Sequence, residues 1–297
     1  MRTVLFLAFA VALCASCSNS SGTASTKKDT VEDNKAATTT TTNDPVPQNA
    51  QPADAAAIMA KKQVPVLCYH NIQQTGLALR SSQGYDIPIE KFQDQMKALA
   101  DSGYKTILPD QYYNYLVYGA SIPEKAVMLT FDDTDEDQFT LAKKEMDKYG
   151  FKGVYFIMTI SIGKPRYMSK EQIKQLADEG HAVECHTWDH HRTDRYKTEN
   201  EIEERGKKKI VNDWEQQLDK PKATIESITG KPVKYFAYPF GVWSPTGFPE
   251  LKKRDYKMAF QLSTKRDSTN PLYTVRRIIV PGWSGKTLLG NMKGSFK

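Results

Sequence analysis

The chain has 297 residues, of which 39% are hydrophobic and 10% aromatic, so it is long enough for one large α/β domain or two small ones. Its formal net charge is +6 at pH 7, and the basic residues are spread along the sequence rather than gathered in a dense block. The composition therefore supports a sizeable core and gives no argument for a nucleic-acid partner.

The N-terminal segment has the plan of a secretory signal. Arg2 precedes the apolar stretch VLFLAFAVALCAS, which is too short to span a bilayer. The stretch leads into LCASCSNS, where small residues precede Cys17 as in the cleavage box of bacterial lipoproteins, although Cys14 stands where that pattern prefers Leu. We predict that residues 1–17 are a signal peptide with a lipobox-like end and that Cys17 carries a lipid.

This prediction makes the protein an exported, membrane-anchored lipoprotein of a bacterial cell envelope, facing the periplasm or the cell surface. Ordinary signal-peptide cleavage nearby is the alternative and would give a soluble exported protein. Residues 18–60 are rich in Thr, Ser, Ala and Pro and lack periodicity, so they are predicted to form a disordered tether. The folded domain is predicted to cover residues 61–297.

From Val64 onward, short apolar runs alternate with amphipathic segments. End signals support the helices, for example the capping-box spacing of Ser169 and Gln172. Predicted strands cover residues 64–70, 104–108, 126–131, 153–158, 181–185, 234–238, 257–262 and 274–280, and predicted helices cover residues 87–103, 109–119, 137–150 and 169–180, with a long charged helix from about Thr198 to Gly230 that bends at Pro221.

Strands that alternate with helices and are apolar on both faces imply parallel pairing, with the helices outside. Seven or eight such units fit an irregular barrel better than an open sheet. We therefore predict an α/β protein, a monomeric distorted (β/α) barrel of about seven parallel strands. In that architecture the chemistry lies on the loops at the carboxyl ends of the strands.

Two cysteines, Cys68 and Cys185, fall in the predicted folded part, each next to or near a histidine in an apolar run. A single disulfide between neighbouring strands and a pair of buried free thiols both fit this pattern.

The stretch MLTFDDTDED, residues 128–137, places five acidic residues at the end of a predicted strand. Acidic residues suit a helix N-terminus, so a solvated loop with an N-cap is one interpretation. Because the strand ends on the predicted active face, the other interpretation is that Asp132 and Asp133 belong to a metal site.

Four of the five histidines lie in HAVECHTWDHH, just after another predicted strand. His186 and His190 are four residues apart, a spacing that puts both imidazoles on one face of a helical turn. The acidic pair offers a third ligand. Two imidazoles and one carboxylate suit a catalytic divalent ion with an open position, and zinc is the predicted metal.

Three motifs, TFDD (130–133), HTWDH (186–190) and FAYPFG (236–241), resemble in order and spacing the first three motifs of the polysaccharide deacetylase family, carbohydrate esterase family four. The segment PVLCYHNI (65–72) is similar to the opening strand of members that deacetylate poly-N-acetylglucosamine. The resemblance covers about residues 62–280, and it implies the same distorted (β/α) barrel.

Carried over by position, the resemblance implies that Asp133, His186 and His190 are metal ligands and that Asp132 is the catalytic base. It also implies that Thr187 orients the histidine loop. The segment Tyr238, Pro239 and Phe240 would line the groove and offer a backbone N–H to the oxyanion.

The sequence departs from the family at two places. Ala237 stands where an arginine usually braces the base, and Arg276 or Arg277 could take that role if the last strand is in register. No histidine follows His191, where the family has a general acid. We predict that His70 replaces it, with a structural role for His70 as the alternative, and Asp189, His191 or a water molecule on the metal as other replacements.

Tryptophans fall in predicted loops on the active face, where aromatic rings stack on sugars. We predict substrate contacts for Trp188 and Trp243, with packing within the loops as the alternative. The expected function is metal-dependent removal of N-acetyl groups from a β-linked N-acetylhexosamine polysaccharide. The alternatives are an O-acetyl esterase on a glycan such as xylan, which the missing late histidine mildly favours, and an inactive glycan-binding protein that retains the metal.

Overall fold

The computed structural model describes residues 46, 49–74, 76, 85–204, 206–262 and 265–296. The predicted signal peptide, Cys17 and most of the predicted tether lie outside the described residues. Among the described helices, none has both the length and the apolar composition that crossing a membrane requires.

Each predicted apolar run contains a strand, and four further strands, at residues 71–73, 86–88, 200–204 and 207–211, were not predicted. The strands are β1 (Val66–Tyr69), β2 (Asn71–Gln73), β3 (Asp86–Pro88), β4 (Lys105–Thr106), β5 (Ala126–Phe131), β6 (Gly153–Ile157), β7 (Ala182–Cys185), β8 (Asn200–Glu204), β9 (Lys207–Val211), β10 (Tyr235–Ala237), β11 (Met258–Gln261), β12 (Val275–Arg276) and β13 (Ile278–Ile279).

Helical segments lie at the predicted positions apart from the charged helix considered below, and the helices at residues 55–60, 247–253 and 285–295 were not predicted. The helices are α1 (Ala55–Ala60), α2 (Ile89–Asp101), α3 (Pro109–Tyr118), α4 (Lys144–Asp147), α5 (Lys170–Asp178), α6 (Lys220–Thr229), α7 (Gly247–Lys253) and α8 (Gly285–Ser295). Two π-helical segments, Gln138–Lys143 and Glu215–Asp219, lead directly into α4 and α6.

The main sheet is parallel and runs in the order β12-β11-β10-β7-β6-β5-β1-β13, with β4 added on β5. The ring closes through one short stretch of chain. β12 pairs with β11 and β13 pairs with β1, and only Arg277 separates these two strands. If β12 and β13 count as one strand, the described ring has seven strands, and the predicted distorted (β/α) barrel is confirmed.

Alternation along the strands divides the core in two. One buried cluster contains Val66, Met128, Val154 and Phe260 and fills the barrel together with residues of α3. The other contains the intervening strand residues and packs against α2, α5, α6 and α8. Since successive side chains of a strand point to opposite faces, polar residues in the interior register, such as Glu184, are also enclosed by the barrel.

The predicted long charged helix is wrong in its first half. Asn200–Glu204 and Lys207–Val211 form an antiparallel hairpin, and a helical segment begins only after it. The acidic strand faces the basic one, and Lys208 Nζ lies 3.0 Å from Glu201 Oε1. The acidic and basic residues have a spacing that would allow ion pairs on a helix, but here they pair across two strands. The turn at Gly206, with φ +74°, allows the chain to reverse between these strands.

The predicted tether also ends earlier than residue 60. Ala55–Ala60 is a helix, and the Asp54 side chain accepts a hydrogen bond from the Ala57 N–H as its N-cap. Ile58 is buried in the cluster that fills the barrel, so this segment is part of the folded unit. Cys68 and Cys185 are buried free thiols, since β1 and β7 are not neighbours in the ring.

Candidate active site

A cavity of about 230 Å³ opens at the carboxyl ends of the barrel strands, where sites of (β/α) barrels lie. Its deepest residues are acidic residues and histidines from the loops after β5 and β7. The residues that line it are His70, Asn71, Tyr85, Asp132, Asp133, His186, His190, Phe240 and Leu262.

Asp132 lies at the floor of this cavity and is 1% exposed. Arg277 holds both of its oxygens, with Nη1 at 2.7 Å from Oδ1 and Nη2 at 2.8 Å from Oδ2. Burial alone would raise the pKa of Asp132, but the Arg277 guanidinium together with His186 and His70 outweighs it, and the pKa is lowered. The carboxylate is therefore ionised and fixed in orientation. The Cys68 thiol also lies 3.6 Å from Asp132 Oδ2.

The turn after β5 aims Asp133 into the same cavity. The Asp132 N–H still donates to the Tyr69 carbonyl at 3.0 Å, but Asp133 and Thr134 have φ values of 74° and 73°. A left-handed Thr is uncommon and strained. It is held because its Oγ1 accepts a hydrogen bond from the Met158 N–H at 2.8 Å, which ties this loop to the end of β6.

His186 presents Nε2 to Asp133. Its Nδ1 lies 2.8 Å from the Ala237 carbonyl, and because a carbonyl only accepts, Nδ1 carries the proton. Nε2 lies 3.3 Å from Asp133 Oδ1. Burial would lower the pKa of His186, but the carboxylates of Asp132 and Asp133 raise it. Ala237, at the position where the family usually has an arginine, thus orients a histidine through its backbone.

His190 comes from the same loop, and its Nε2 lies 3.5 Å from Asp133 Oδ1. The Thr187 hydroxyl accepts a hydrogen bond from the His190 N–H at 2.9 Å, and both residues have positive φ values. Burial, with the neighbouring His186, lowers the pKa of His190 to about 4, so its imidazole is neutral at physiological pH. A neutral imidazole is the form that binds a metal.

These three side chains fit a divalent ion. One ligand atom each from Asp133, His186 and His190 lie within 4.8 Å of one another. Asp133 Oδ1 and His186 Nε2 are buried and have no hydrogen-bond partner among the described residues. Buried polar atoms without partners are costly, and a bound cation would satisfy both. The donor set of two imidazoles and one carboxylate is one that zinc accepts.

His70 stands at the end of β1 and forms one wall of the cavity. It is 8% exposed, and its Nδ1 has no hydrogen-bond partner among the described residues. Its ring packs edge-on against Tyr85, with the centroids 4.8 Å apart. Burial lowers the pKa of His70. The structure thus brings His70 to the cavity that also holds Asp132.

The predicted substrate contacts lie in different places. Phe240 lines the cavity, is 58% exposed and packs against the His190 ring at 4.4 Å. The Tyr238 amide donates to the Phe260 carbonyl and Pro239 has no N–H, so within this segment only the Phe240 amide is a candidate oxyanion donor. The predicted roles of these three residues stay predictions.

Neither predicted tryptophan contact is among the residues that line the cavity. Trp188 is half-buried, and its backbone N–H donates to Gln217 Oε1 at 3.2 Å. Trp243 stacks on Phe248 with the ring centroids 5.5 Å apart. Packing within the loop accounts for the position of Trp243, and contacts of either tryptophan with a long polymer outside the cavity stay a prediction.

The remaining histidines lie apart from the three candidate ligands. The His191 side chain is 61% exposed and pairs with Asp189 at 3.3 Å. His181 accepts the Gly153 N–H at Nδ1 and sits at the amino end of β7, near two carboxylates that already pair with Lys143. We read His181 as structural, because its acceptor nitrogen is used and the nearby carboxylates have a cation.

Several residues of the site were not predicted from the sequence. Gln138 is fully buried, and its Nε2 donates to the backbone carbonyls of both His70 and Asp132, which joins the ends of β1 and β5. Asn71, Tyr85 and Leu262 line the cavity. None of these belongs to the three quoted motifs, although Asn71 lies in the quoted segment PVLCYHNI, directly after His70.

Fold and cavity together define a (β/α)-barrel enzyme whose site consists of buried acidic residues and histidines. Residues 119–259 match the family model described as polysaccharide deacetylase. The chain is 28% identical over 224 residues to YxkH of Bacillus subtilis (strain 168), a protein assigned as a polysaccharide deacetylase, covering 75% of this chain and 73% of that protein.

The chain is also 25% identical over 205 residues to the poly-beta-1,6-N-acetyl-D-glucosamine N-deacetylase of Staphylococcus aureus (strain MRSA252), covering 67% of this chain and 69% of that protein. Among solved structures, the Streptococcus pyogenes deacetylase PplD in complex with acetate matches the fold with a TM-score of 0.66 at 21% identity, over 77% of this chain and 98% of that chain. The chain therefore contains a polysaccharide deacetylase domain, matched over residues 119–259.

Proposed function

We propose that this deacetylase is a metal-dependent hydrolase that removes N-acetyl groups from a β-linked N-acetylhexosamine polysaccharide. The observation that carries the proposal is the juxtaposition of an ionised, buried Asp132 with the three candidate ligands Asp133, His186 and His190. Similarity to the Staphylococcus aureus N-deacetylase supports the choice of substrate.

The residues divide the reaction among them. A divalent ion, when bound, would polarise the acetyl carbonyl and lower the pKa of water toward about 7. Asp132 takes a proton from the attacking water as general base, because Arg277 keeps it ionised. The Phe240 amide is the candidate donor to the developing oxyanion. His70, which lines the same cavity, is the group that can pass a proton to the leaving amine.

The test is acetate release by the full chain on β-1,6-linked N-acetylglucosamine oligomers and on acetylated xylan, with Asp132→Asn alongside. Release from the oligomers that is lost in Asp132→Asn is the expected result. Release from xylan alone would overturn the N-deacetylase proposal. No release from either substrate, with metal bound, would favour the glycan-binding alternative.

An O-acetyl esterase is the second candidate, and one observation favours it. Burial lowers the pKa of His70, so its imidazole is mostly neutral at pH 7 and is a weak proton donor. An ester needs less help from an acid than an amide does, because an alkoxide is the better leaving group. The xylan arm of the same experiment decides between the two.

We further propose that the mature protein is a lipoprotein of a bacterial cell envelope, held by a lipid on Cys17. Small residues directly before Cys17 and the apolar stretch upstream support this proposal. Expression of the full chain in a bacterium with labelled palmitate should label the wild type and leave Cys17→Ser unlabelled. Label in both proteins, or in neither, would contradict lipidation at this residue.

A further inference from the structure

The wall of the cavity beside His70 carries a polar side chain that the proposed reaction leaves without a role. Asn71 lines the cavity, and its Nδ2 lies 2.7 Å from Asp86 Oδ1. Asp86 is 3% exposed and lies opposite Asn71 in the parallel pairing of β2 with β3. The buried carboxylate of Asp86 therefore holds the Asn71 amide in place through a hydrogen bond.

The hydrogen bond to Asp86 fixes which atom of the Asn71 amide remains available to a ligand. A carboxylate only accepts hydrogen bonds, so Asn71 must give its NH2 group to Asp86, and the alternative flipped orientation would set two acceptors against each other. The carbonyl oxygen, Oδ1, is then the remaining polar atom of Asn71. Within the described part of the chain, no group donates a hydrogen bond to it.

The segment around Asn71 is held on several sides. The Asn71 N–H donates to the Tyr85 carbonyl at 3.2 Å, and the Ile72 N–H donates to Asp137 Oδ1 at 3.1 Å. The His70 carbonyl accepts from Gln138 Nε2 at 3.0 Å. These contacts fix the backbone, and turning the Asn71 amide would break its hydrogen bond to Asp86, so the side chain can discriminate between ligands.

We propose that Asn71 is a specificity-determining residue whose Oδ1 accepts the N–H of the substrate's acetamide group. This inference rests on the proposed function. An acetamide presents an N–H donor at the scissile bond, whereas an O-acetyl ester presents only lone pairs there. The same carbonyl therefore binds the amide and repels the ester, and a site built to pair an N–H rejects the analogue that lacks it.

The test compares the ratio of kcat/KM for N-acetylglucosamine oligomers to kcat/KM for matched glucose oligomers that carry 2-O-acetyl groups. Asn71→Leu keeps the size of the side chain and removes the acceptor. We expect this ratio to fall about tenfold relative to wild type, the value of one hydrogen bond. The same substitution at Asn291, on α8 and away from the cavity, should leave the ratio unchanged.

Asn71→Ala serves as a second variant if Leu is not accommodated, and Asp86→Asn should also lower the ratio because it frees the Asn71 amide to turn. Equal losses on amide and ester in the Asn71 variants would overturn the inference and leave the proposed function standing. A wild type that hydrolyses only the ester would overturn both.

Discussion

The guanidinium of Arg277 and the carboxylate of Asp132 form a bidentate salt bridge, with N–O distances of 2.7 and 2.8 Å, at the point where the barrel closes. Arg277 lies between β12 and β13, and its guanidinium also lies 5.4 Å from the centre of the Phe156 ring. The closing strand thus supplies the brace that the family usually takes from the position of Ala237. The segment that closes the barrel therefore also influences the ionisation of Asp132.

Replacing Arg277 by Lys should weaken catalysis through Asp132. Lys keeps the charge but cannot bind both oxygens, so the carboxylate loses its fixed orientation. We expect kcat/KM to fall by about tenfold to a hundredfold. The weaker support also raises the pKa of Asp132, and because the base acts ionised, the acid limb of the pH profile should move to higher pH.

Arg276→Lys is the matched control, since the Arg276 guanidinium packs over the Phe296 ring and makes no described contact with Asp132. It should change neither kcat/KM nor the pH profile measurably. An Arg277→Lys enzyme with the wild-type pH profile would show that Arg277 has only a structural role.

The fold was predictable where the sequence pattern is local. The run 126–131 was predicted with its observed bounds, because six buried residues are followed by acidic turn residues. The hairpin at residues 200–211 was missed, since Glu and Lys spaced for pairing on a helix can also pair across two strands. Local charge patterns do not distinguish these outcomes.

The site was predictable only as far as its motifs reach. The structure brings Asp133, His186 and His190 together, as the resemblance implied, although their function is untested. The pairing of Arg277 with Asp132 was one of two open options, because it depends on the register of the last strand. The Asn71 contact with Asp86 depends on β2 and β3 meeting in space, and no sequence signal marked it.

Metal binding should depend on the three candidate ligands and not on the base. We expect the purified protein to hold about one equivalent of zinc, as measured by elemental analysis. His190→Asn should lower zinc affinity by at least about tenfold. Asp132→Asn should bind zinc and release no acetate. Dialysis against a chelator should abolish acetate release by wild type, and zinc should restore it.

Metal retained at full affinity in His190→Asn would contradict the assignment of this ligand. His191→Asn is the matched control, because His191 is its neighbour on the chain, is largely exposed and lies outside the ligand cluster. Its zinc affinity should equal that of wild type in a calorimetric titration.

Replacing His70 by Gln should impair amide hydrolysis without loss of the metal. Gln keeps hydrogen-bonding capacity but cannot donate a proton to a leaving amine, and general acid catalysis contributes about a hundredfold or more. We expect kcat on N-acetylglucosamine oligomers to fall by about that factor, with KM and zinc affinity nearly unchanged. An unchanged kcat would make His70 structural and move the search for the acid to Asp189 or His191.

Glu184 should make the stability of the barrel depend on pH. Its Oε2 accepts the N–H groups of Lys234 and Tyr235 at 2.9 Å each, and it is 5% exposed. Burial raises the pKa of Glu184 from its ordinary value of 4.5 to about 8. The unfolded chain loses this proton near its ordinary pKa while the folded protein keeps it, so stability falls as pH rises from about 4.5 to about 8.

The fall should amount to about 5 kcal/mol at most, the free energy that corresponds to the shift in pKa. Glu184→Gln keeps the oxygen that accepts both N–H groups and cannot ionise. Its free energy of unfolding should therefore exceed that of wild type at pH 8 and match it near pH 4.5. Urea denaturation at several pH values measures both, with Glu90→Gln, at an exposed position on α2, as the control. The two curves of unfolding free energy against pH diverge as pH rises only if Glu184 is protonated in the native protein. Parallel curves for wild type and Glu184→Gln would therefore show that Glu184 is ionised in the folded barrel.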